Sequence, residues 1–145
     1  MNGFIGRYEH QMDEKGRVSF PSAFRQEADG GAFVLLQWEK PYLTLFPQAV
    51  WAEIQGRLVD FRKAEPEAWH HVRRILSEAV EVSPDKQGRI LIPSWLQEAA
   101  SLDGTVRLSG NIDRVEIWDP QVYAETVEGT ARPDELAEFK YRLFG

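Results

Sequence analysis

Apolar residues recur along this chain with two periods, and the change from one period to the other happens twice in the same way. From Phe4 to Met12, the residues Phe4, Gly6, Tyr8, His10 and Met12 share one parity, with Arg7, Glu9 and Gln11 on the other. Such alternation predicts a strand with one wet face. Val18 to Phe20 predicts a return strand. Residues 22–28 then predict a short helix with Ala23, Phe24 and Ala28 inward, stopped by Gly30-Gly31. Phe33 to Trp38 and Tyr42 to Phe46 predict two further strands around a bend at Lys40-Pro41. Pro47 opens a helix with Val50, Trp51, Ile54 and Leu58 on one face.

The second half repeats this plan. Strands are expected at 79–83, 90–92, 105–108 and 115–118, with a helix at 94–100 and Asp119-Pro120 capping another. The repetition is sharpest in one phrase, Asp13-Glu-Lys-Gly-Arg-Val-Ser-Phe-Pro-Ser22, which returns as Asp85-Lys-Gln-Gly-Arg-Ile-Leu-Ile-Pro-Ser94. Asp, Gly, Arg, Pro and Ser coincide at an offset of 72 positions. At that offset Leu45 also matches Ile117, Phe46 matches Trp118, Val50 matches Val122, and Ala52-Glu53 matches Ala124-Glu125. The chain is an internal duplication.

The phrase has a local physical logic. Asp13 and Asp85 can bond the backbone two residues on and start a turn. Gly16 and Gly88 supply the positive φ that ends it. Asp-x-x-Gly between extended runs predicts a hairpin loop, a type I turn closing on a glycine bulge. Pro21 and Pro93 end the return strands, having no N–H for a ladder. Ser22 and Ser94 are expected as helix N-caps, with Ser94 and Gln97 forming a capping box.

Between the halves, Pro66 suits the first position of a helix with Trp69, Val72, Ile75, Leu76 and Ala79 on its apolar face. His70 and His71 point about 100° apart there, which suits a solvated or interfacial role better than a shared metal. At the end of the chain, Leu136, Phe139 and Leu143 fall at helical spacing, with acids first and bases last. This tail can dock on its own chain or on a neighbour. The boundaries expected are 7–49 for the first repeat, 50–78 for linker helices, 79–122 for the second repeat and 123–145 for the helical tail. One repeat is too small to bury its apolar side alone. The fold class is therefore α+β, with two interleaved hairpins forming one small barrel under pseudo-twofold symmetry.

Composition narrows the function. The 145 residues carry a net charge of −6, no cysteine, three histidines and five tryptophans. Disulfides, thiolate nucleophiles and thiolate metal sites are excluded. There is no apolar run of membrane-spanning length and no signal-peptide pattern, so a soluble intracellular protein is expected. The acidic balance argues mildly against nonspecific nucleic-acid binding. Its distribution matters, however: residues 116–145 hold seven acids and three bases, a net of −4, leaving −2 for the rest. Arg7, Lys15, Arg17, Arg25, Lys86 and Arg89 lie in or beside the repeated phrases and can form a compact basic face. No nucleophile elbow, phosphate loop or metal-ligand spacing occurs, so no enzyme, cofactor, metal site or small-molecule substrate is expected. Trp38, Trp51, Trp69, Trp95, Trp118 and Tyr42 fall on apolar faces, as core or subunit-interface residues do.

The doubled Asp-x-x-Gly-Arg phrase resembles the MraZ family of transcriptional regulators, and each half resembles a SpoVT-AbrB swapped-hairpin domain. Phe4-Ile-Gly6, Arg73-Arg-Ile-Leu-Ser77 and Glu116-Ile-Trp118 extend the resemblance over nearly the whole chain. Glu78 departs from it, standing where the family usually has a small residue. The resemblance implies sequence-specific binding to double-stranded DNA and assembly into closed rings. It also implies repression of the protein's own division and cell-wall gene cluster, on the nucleoid in the cytoplasm.

Within that reading, Arg17 and Arg89 are the candidate base readers, since a guanidinium fork can grip guanine or phosphate. Lys15 and Lys86 are candidates for phosphate contacts, and Arg7 is a weaker member of the group. Asp13, Gly16, Asp85 and Gly88 would brace the turns. An Asp–Arg pair across each turn leaves two roles open for each arginine, reading DNA or bracing the turn. A small basic face repeated around a ring would gain avidity on repeated promoter boxes. The rival class is a protein–protein module, antitoxin-like or a scaffold, because AbrB-like barrels also resemble antitoxins.

Overall fold

The computed structural model describes residues 3–28, 31–130 and 132–145. The helix stop expected at Gly30 lies outside the described residues. The first repeat runs β1 (Arg7–Gln11), β2 (Arg17–Ser19), α1 (Ser22–Glu27), β3 (Phe33–Leu36) and β4 (Leu43–Pro47). Then follow α2 (Gln48–Ala64), a 3₁₀ turn (Pro66–Ala68) and α3 (Trp69–Glu78). The second repeat runs β5 (Val80–Val82), β6 (Arg89–Leu91), α4 (Ser94–Ala99), β7 (Thr105–Asn111) and β8 (Arg114–Trp118). Helix α5 (Pro120–Tyr123) widens into a π-helical turn over Ala124–Glu128, and α6 (Pro133–Leu143) follows.

The strands interleave. A six-stranded antiparallel sheet has the order β1-β7-β8-β4-β3-β5, and β2 pairs with β6 in a separate two-stranded ribbon. Exchanging the repeats turns the six-stranded order into its own reverse. The centre of symmetry lies where matching residues face each other: Val18 opposite Ile90 in the ribbon, Thr44 opposite Glu116 in the sheet. The expected α+β duplicated AbrB-like fold is therefore present, with one refinement of register. Phe33 pairs with Val82, whereas His10 pairs with Val106. The offset is 73 rather than 72 between β3 and β7, so one extra residue separates α4 from β7. By β4 and β8 it has returned to 72.

Two apolar clusters flank the sheet. On its inner side Val18, Phe20, Phe24, Phe33, Ile90, Ile92, Leu96 and Val106 join one core that draws on both repeats. Phe4 packs edge-on to Phe24 at 5.7 Å between ring centroids. On the outer side α2 covers Val34, Leu36 and Phe46 with Trp51, and Val50 and Ile54 pack beside them. The ribbon strands have only three residues each. Burial therefore dominates their stability: fully burying Val18 and Ile90 contributes about 1.5–3 kcal/mol each, against about 0.5–1.5 kcal/mol net per hydrogen bond.

Several local expectations are corrected. Each expected hairpin is opened out: β1 pairs with β7 and β2 with β6, so the turn between β1 and β2 carries the chain from sheet to ribbon. Ser22 and Ser94 are the first helical residues rather than N-caps; Pro21 and Pro93 hold the cap positions, with no side-chain hydrogen bond. The Ser94–Gln97 capping box is absent, because Gln97 Nε2 instead donates to the Ile92 carbonyl at 2.7 Å. Ala23 is exposed, while Phe24 and Ala28 are buried. The strand expected at 42–46 is Leu43–Pro47, and that expected at 33–38 ends at Leu36. Asp119 does cap α5, accepting from Val122 N at 3.0 Å. His70 and His71 are both exposed. Trp51 and Trp118 are buried, whereas Trp95 is 53% exposed and Trp69 is 37% exposed. Among the described residues no helix is long and apolar enough to cross a membrane.

Candidate nucleic-acid interface

The two repeated phrases fold into nearly identical turns. In the first, Gly16 N donates to the Asp13 carbonyl at 3.0 Å, and Asp13 N donates to the Arg17 carbonyl at 2.9 Å. Asp13 Oδ1 accepts from Lys15 N at 3.0 Å and from Arg17 N at 2.8 Å. Gly16 has φ +89°, the conformation that ends the turn. In the second, Gly88 N donates to the Asp85 carbonyl at 2.9 Å, and Asp85 Oδ1 accepts from Gln87 N and Arg89 N, both at 2.9 Å.

Each turn is fastened to the other repeat. Ile92 N donates to the Gly16 carbonyl at 2.9 Å, and Phe20 N donates to the Gly88 carbonyl at 2.8 Å. Both glycines are closely approached from the other repeat. A methyl group built on Gly16 would lie 2.6 Å from the Ile92 carbonyl oxygen. One built on Gly88 would lie 2.8 Å from Arg25 Nη1.

Arg17 and Arg89 leave these turns on the outward face of the ribbon. Val18 and Ile90 point into the core, so Arg17, Ser19, Arg89 and Leu91 point the other way. Arg17 stands opposite Leu91, and Arg89 stands opposite Ser19. The two arginines are thus diagonal neighbours, about 7–8 Å apart at the backbone. Both make the expected pair with aspartate, and both make it through Nε alone: Arg17 Nε to Asp13 Oδ2 at 2.7 Å, Arg89 Nε to Asp85 Oδ2 at 3.1 Å. Among the described residues the Nη groups of Arg17 and Arg89 have no partner. Bracing consumes one edge of the guanidinium and leaves its two outer nitrogens as donors.

The carboxylates are held in their charged form. Asp13 lies below the usual carboxylate range, first because of the Arg17 backbone N–H, then the Arg17 side chain and the Lys15 N–H, with some burial opposing. Asp85 is lowered in the same way by the Arg89 backbone N–H, the Gln87 N–H and the Arg89 side chain. Lys15 and Lys86 sit exposed on the two turns and make no ion pair among the described residues.

Arg7 is placed elsewhere. It begins β1, six residues before Asp13, or roughly 20 Å along an extended chain. Its Nη1 lies 3.7 Å from Glu128. There it joins Arg107, which pairs with Glu9 and with Glu128 and lies 4.6 Å over the Tyr123 ring. The structure therefore gathers Lys15, Arg17, Lys86 and Arg89 with Asp13, Gly16, Asp85 and Gly88, and leaves Arg7 in an acidic neighbourhood. Gln97, beside Gly16, was not singled out as a site residue from the sequence, and Arg25, beside Gly88, was expected in the basic face without a role of its own. Their signal was present, since they occupy matching positions at the 72-residue offset.

Comparison with known proteins bears on what such a face is for. The family model for the MraZ protein, whose description adds "antitoxin-like", matches residues 4–73 and 75–139. The chain belongs to the MraZ family. A protein of Carboxydothermus hydrogenoformans named "Transcriptional regulator MraZ" is 38% identical over 136 residues, covering 93% of this chain and 94% of its own. Proteins with the same name from Leuconostoc mesenteroides and Caldanaerobacter subterraneus are 35% identical over 136 residues and 39% identical over 135. The first covers 93% of this chain and the second 92%, each over 94% of its own length. The MraZ relatives are named for regulation rather than for a reaction.

Proposed function

We propose that this MraZ-family chain is a transcriptional regulator, not an enzyme, that binds double-stranded DNA through the outward face of the β2–β6 ribbon. One observation carries the reading: Arg17 and Arg89 stand on that face with their Nη donors unpartnered among the described residues, each aimed by an aspartate at its Nε. A two-stranded ribbon fits the major groove, where an arginine fork recognises guanine O6 and N7. The spacing of about 7–8 Å between the arginines is about two base-pair steps of ~3.4 Å. Lys15 and Lys86 then contact phosphates and set the register. The family resemblance extends this proposal to repression of the protein's own division and cell-wall gene cluster, on the nucleoid in the cytoplasm.

A ring of copies completes the proposal. Helix α6 has no buried residue, and Leu136, Phe139 and Leu143 are 50%, 50% and 63% exposed. The same chain carries a cleft of about 400 Å³ along α2, lined by Trp38, Ile54, Leu58 and Phe61 and by the charged residues Glu53, Arg57, Asp113 and Arg114. Helix α6 likewise carries both signs, the acids Glu135 and Glu138 and the bases Lys140 and Arg142, against the two acids and two bases of the cleft. A helix of one copy seated in the cleft of the next is a head-to-tail contact, which generates rings when the rotation closes. Repeated promoter boxes would then bind with avidity. The exposed tail also favours a second reading, a protein–protein module whose partner occupies α6.

The test is fluorescence anisotropy with the duplex upstream of the protein's own gene against a scrambled duplex, using wild type and Arg17→Ala. Tight binding to the native duplex, lost in Arg17→Ala with the oligomer intact, is expected. Equal binding to both duplexes would defeat sequence-specific regulation and move the protein–partner reading forward.

A further inference from the structure

The two turns are not equally equipped, and the difference comes from across the repeat boundary. Gln97 of α4 lies against the first turn, and Arg25 of α1 lies against the second. The amide of Gln97 is spent locally, donating to the Ile92 carbonyl at 2.7 Å. The guanidinium of Arg25 is exposed and has no carboxylate partner among the described residues, although its Nη1 and Cζ lie 2.8 and 3.1 Å from where a Gly88 side chain would begin. The carboxylate of the second turn is already occupied: Asp85 accepts from Gln87 N, Arg89 N and Arg89 Nε. The first turn sets Lys15 and Arg17 against Asp13 and Glu14, a net charge of zero. The second sets Lys86, Arg89 and the borrowed Arg25 against Asp85 alone, a net of +2.

We infer that Arg25, carried by the first repeat, is a phosphate-binding residue of the second turn, and that the second turn is the stronger backbone-gripping arm of the ribbon. This rests on the DNA-binding reading above. A neutral amide suffices to close the first turn, so turn closure does not require a cation at this position. A cation lying at the rim of a glycine turn that also carries Lys86 and Arg89, with no carboxylate partner among the described residues, suits a phosphate oxygen. The ribbon then meets DNA asymmetrically despite its symmetric backbone: the first turn contributes Arg17 with little net charge, and the second adds electrostatic grip.

The experiment measures binding of the duplex upstream of the protein's own gene across a potassium chloride series, for wild type, Arg25→Gln, Arg25→Lys and Gln97→Arg. Each lost phosphate contact lowers the slope of log K against log salt by about 0.9 for each engaged protomer. Arg25→Gln is expected to show that loss, Arg25→Lys to restore the slope, and Gln97→Arg to increase it. Because Gln97→Arg leaves Arg25 in place, it tests the idea even if Arg25→Gln fails to fold. An unchanged slope in both Arg25→Gln and Gln97→Arg, with wild type binding tightly, overturns the role of Arg25 and leaves the DNA-binding reading standing. Failure of wild type to bind the duplex overturns both.

Discussion

Val18 faces Ile90 across the ribbon, and each is the other's counterpart in the duplication. Both are essentially excluded from solvent, at 1% and 0% exposure. The contact at the centre of the molecule is therefore one between repeats, and the core is shared. Ile90→Ala is expected to cost about 2–5 kcal/mol, and Val18→Ala less, because it removes less volume. The double variant should depart from additivity by about 0.5–3 kcal/mol, as residues in contact do. Urea denaturation followed by tryptophan fluorescence and by circular dichroism should give one coincident transition in every variant. Separate transitions for the two halves would contradict a shared core.

The glycines of the two turns should not be equally sensitive. Both have positive φ, +89° at Gly16 and +76° at Gly88, so alanine carries a backbone cost of roughly 1–2 kcal/mol at either. At Gly16 the new methyl also meets the Ile92 carbonyl, which is backbone and itself accepts the Gln97 hydrogen bond. At Gly88 it meets the end of the Arg25 side chain, which can swing away. Gly16→Ala should therefore lower the urea midpoint more than Gly88→Ala. The reverse order would mean that the second turn is the more rigid of the two.

Acid should weaken the turns before it weakens the core. Asp13 and Asp85 titrate below the ordinary carboxylate value of 3.8 in the folded chain. A group whose folded value is depressed contributes stability above its ordinary value and loses it as pH falls through the folded value. The contribution is thus complete above about pH 4 and declines below it. Both carboxylates lie at the surface, so the effect is small and shrinks with added salt. Asp13→Asn and Asp85→Asn should each lower the urea midpoint near neutral pH and flatten its fall in acid. A variant that kept the full acid dependence of wild type would show that other carboxylates cause it.

What could be read from the chain was what is local. Asp13, Gly16, Asp85 and Gly88 declare their turns because the Asx bond and the positive φ involve only residues within four positions. The duplication was legible in Leu45 against Ile117 and Phe46 against Trp118, because a buried strand tolerates few residue types. The exchange of partners was not legible residue by residue. A turn looks the same whether its glycine carbonyl meets a strand of its own repeat or, as Gly16 meets Ile92, one of the other. The helix starts were misread because Ser22 and Ser94 have cap chemistry, yet Pro21 and Pro93 already have the extended backbone a cap position needs. The placement of Arg25 on the second turn depends on that exchange, so no spacing rule within one repeat reveals it.

The tail offers the cleanest separation of folding from assembly. Helix α6 buries none of its residues, and its apolar stripe of Leu136, Phe139 and Leu143 stays half exposed or more. Its N-terminal acids Asp134 and Glu135 and late bases Lys140 and Arg142 favour the helix dipole, but such terms contribute only about 0.3–1 kcal/mol each. An isolated helix of 11 residues is marginal in water without a surface to cover. Ending the chain after Thr130 should therefore leave the urea midpoint of the core nearly unchanged. Sedimentation should show a smaller species than the full chain, and binding should drop far more on tandem boxes than on a single box. Leu136→Asp with Phe139→Asp should reproduce the change in mass. If truncation instead lowered the midpoint while leaving the mass of the assembly intact, α6 would be a stabilising element of its own subunit, and the contacts that close the ring would lie elsewhere.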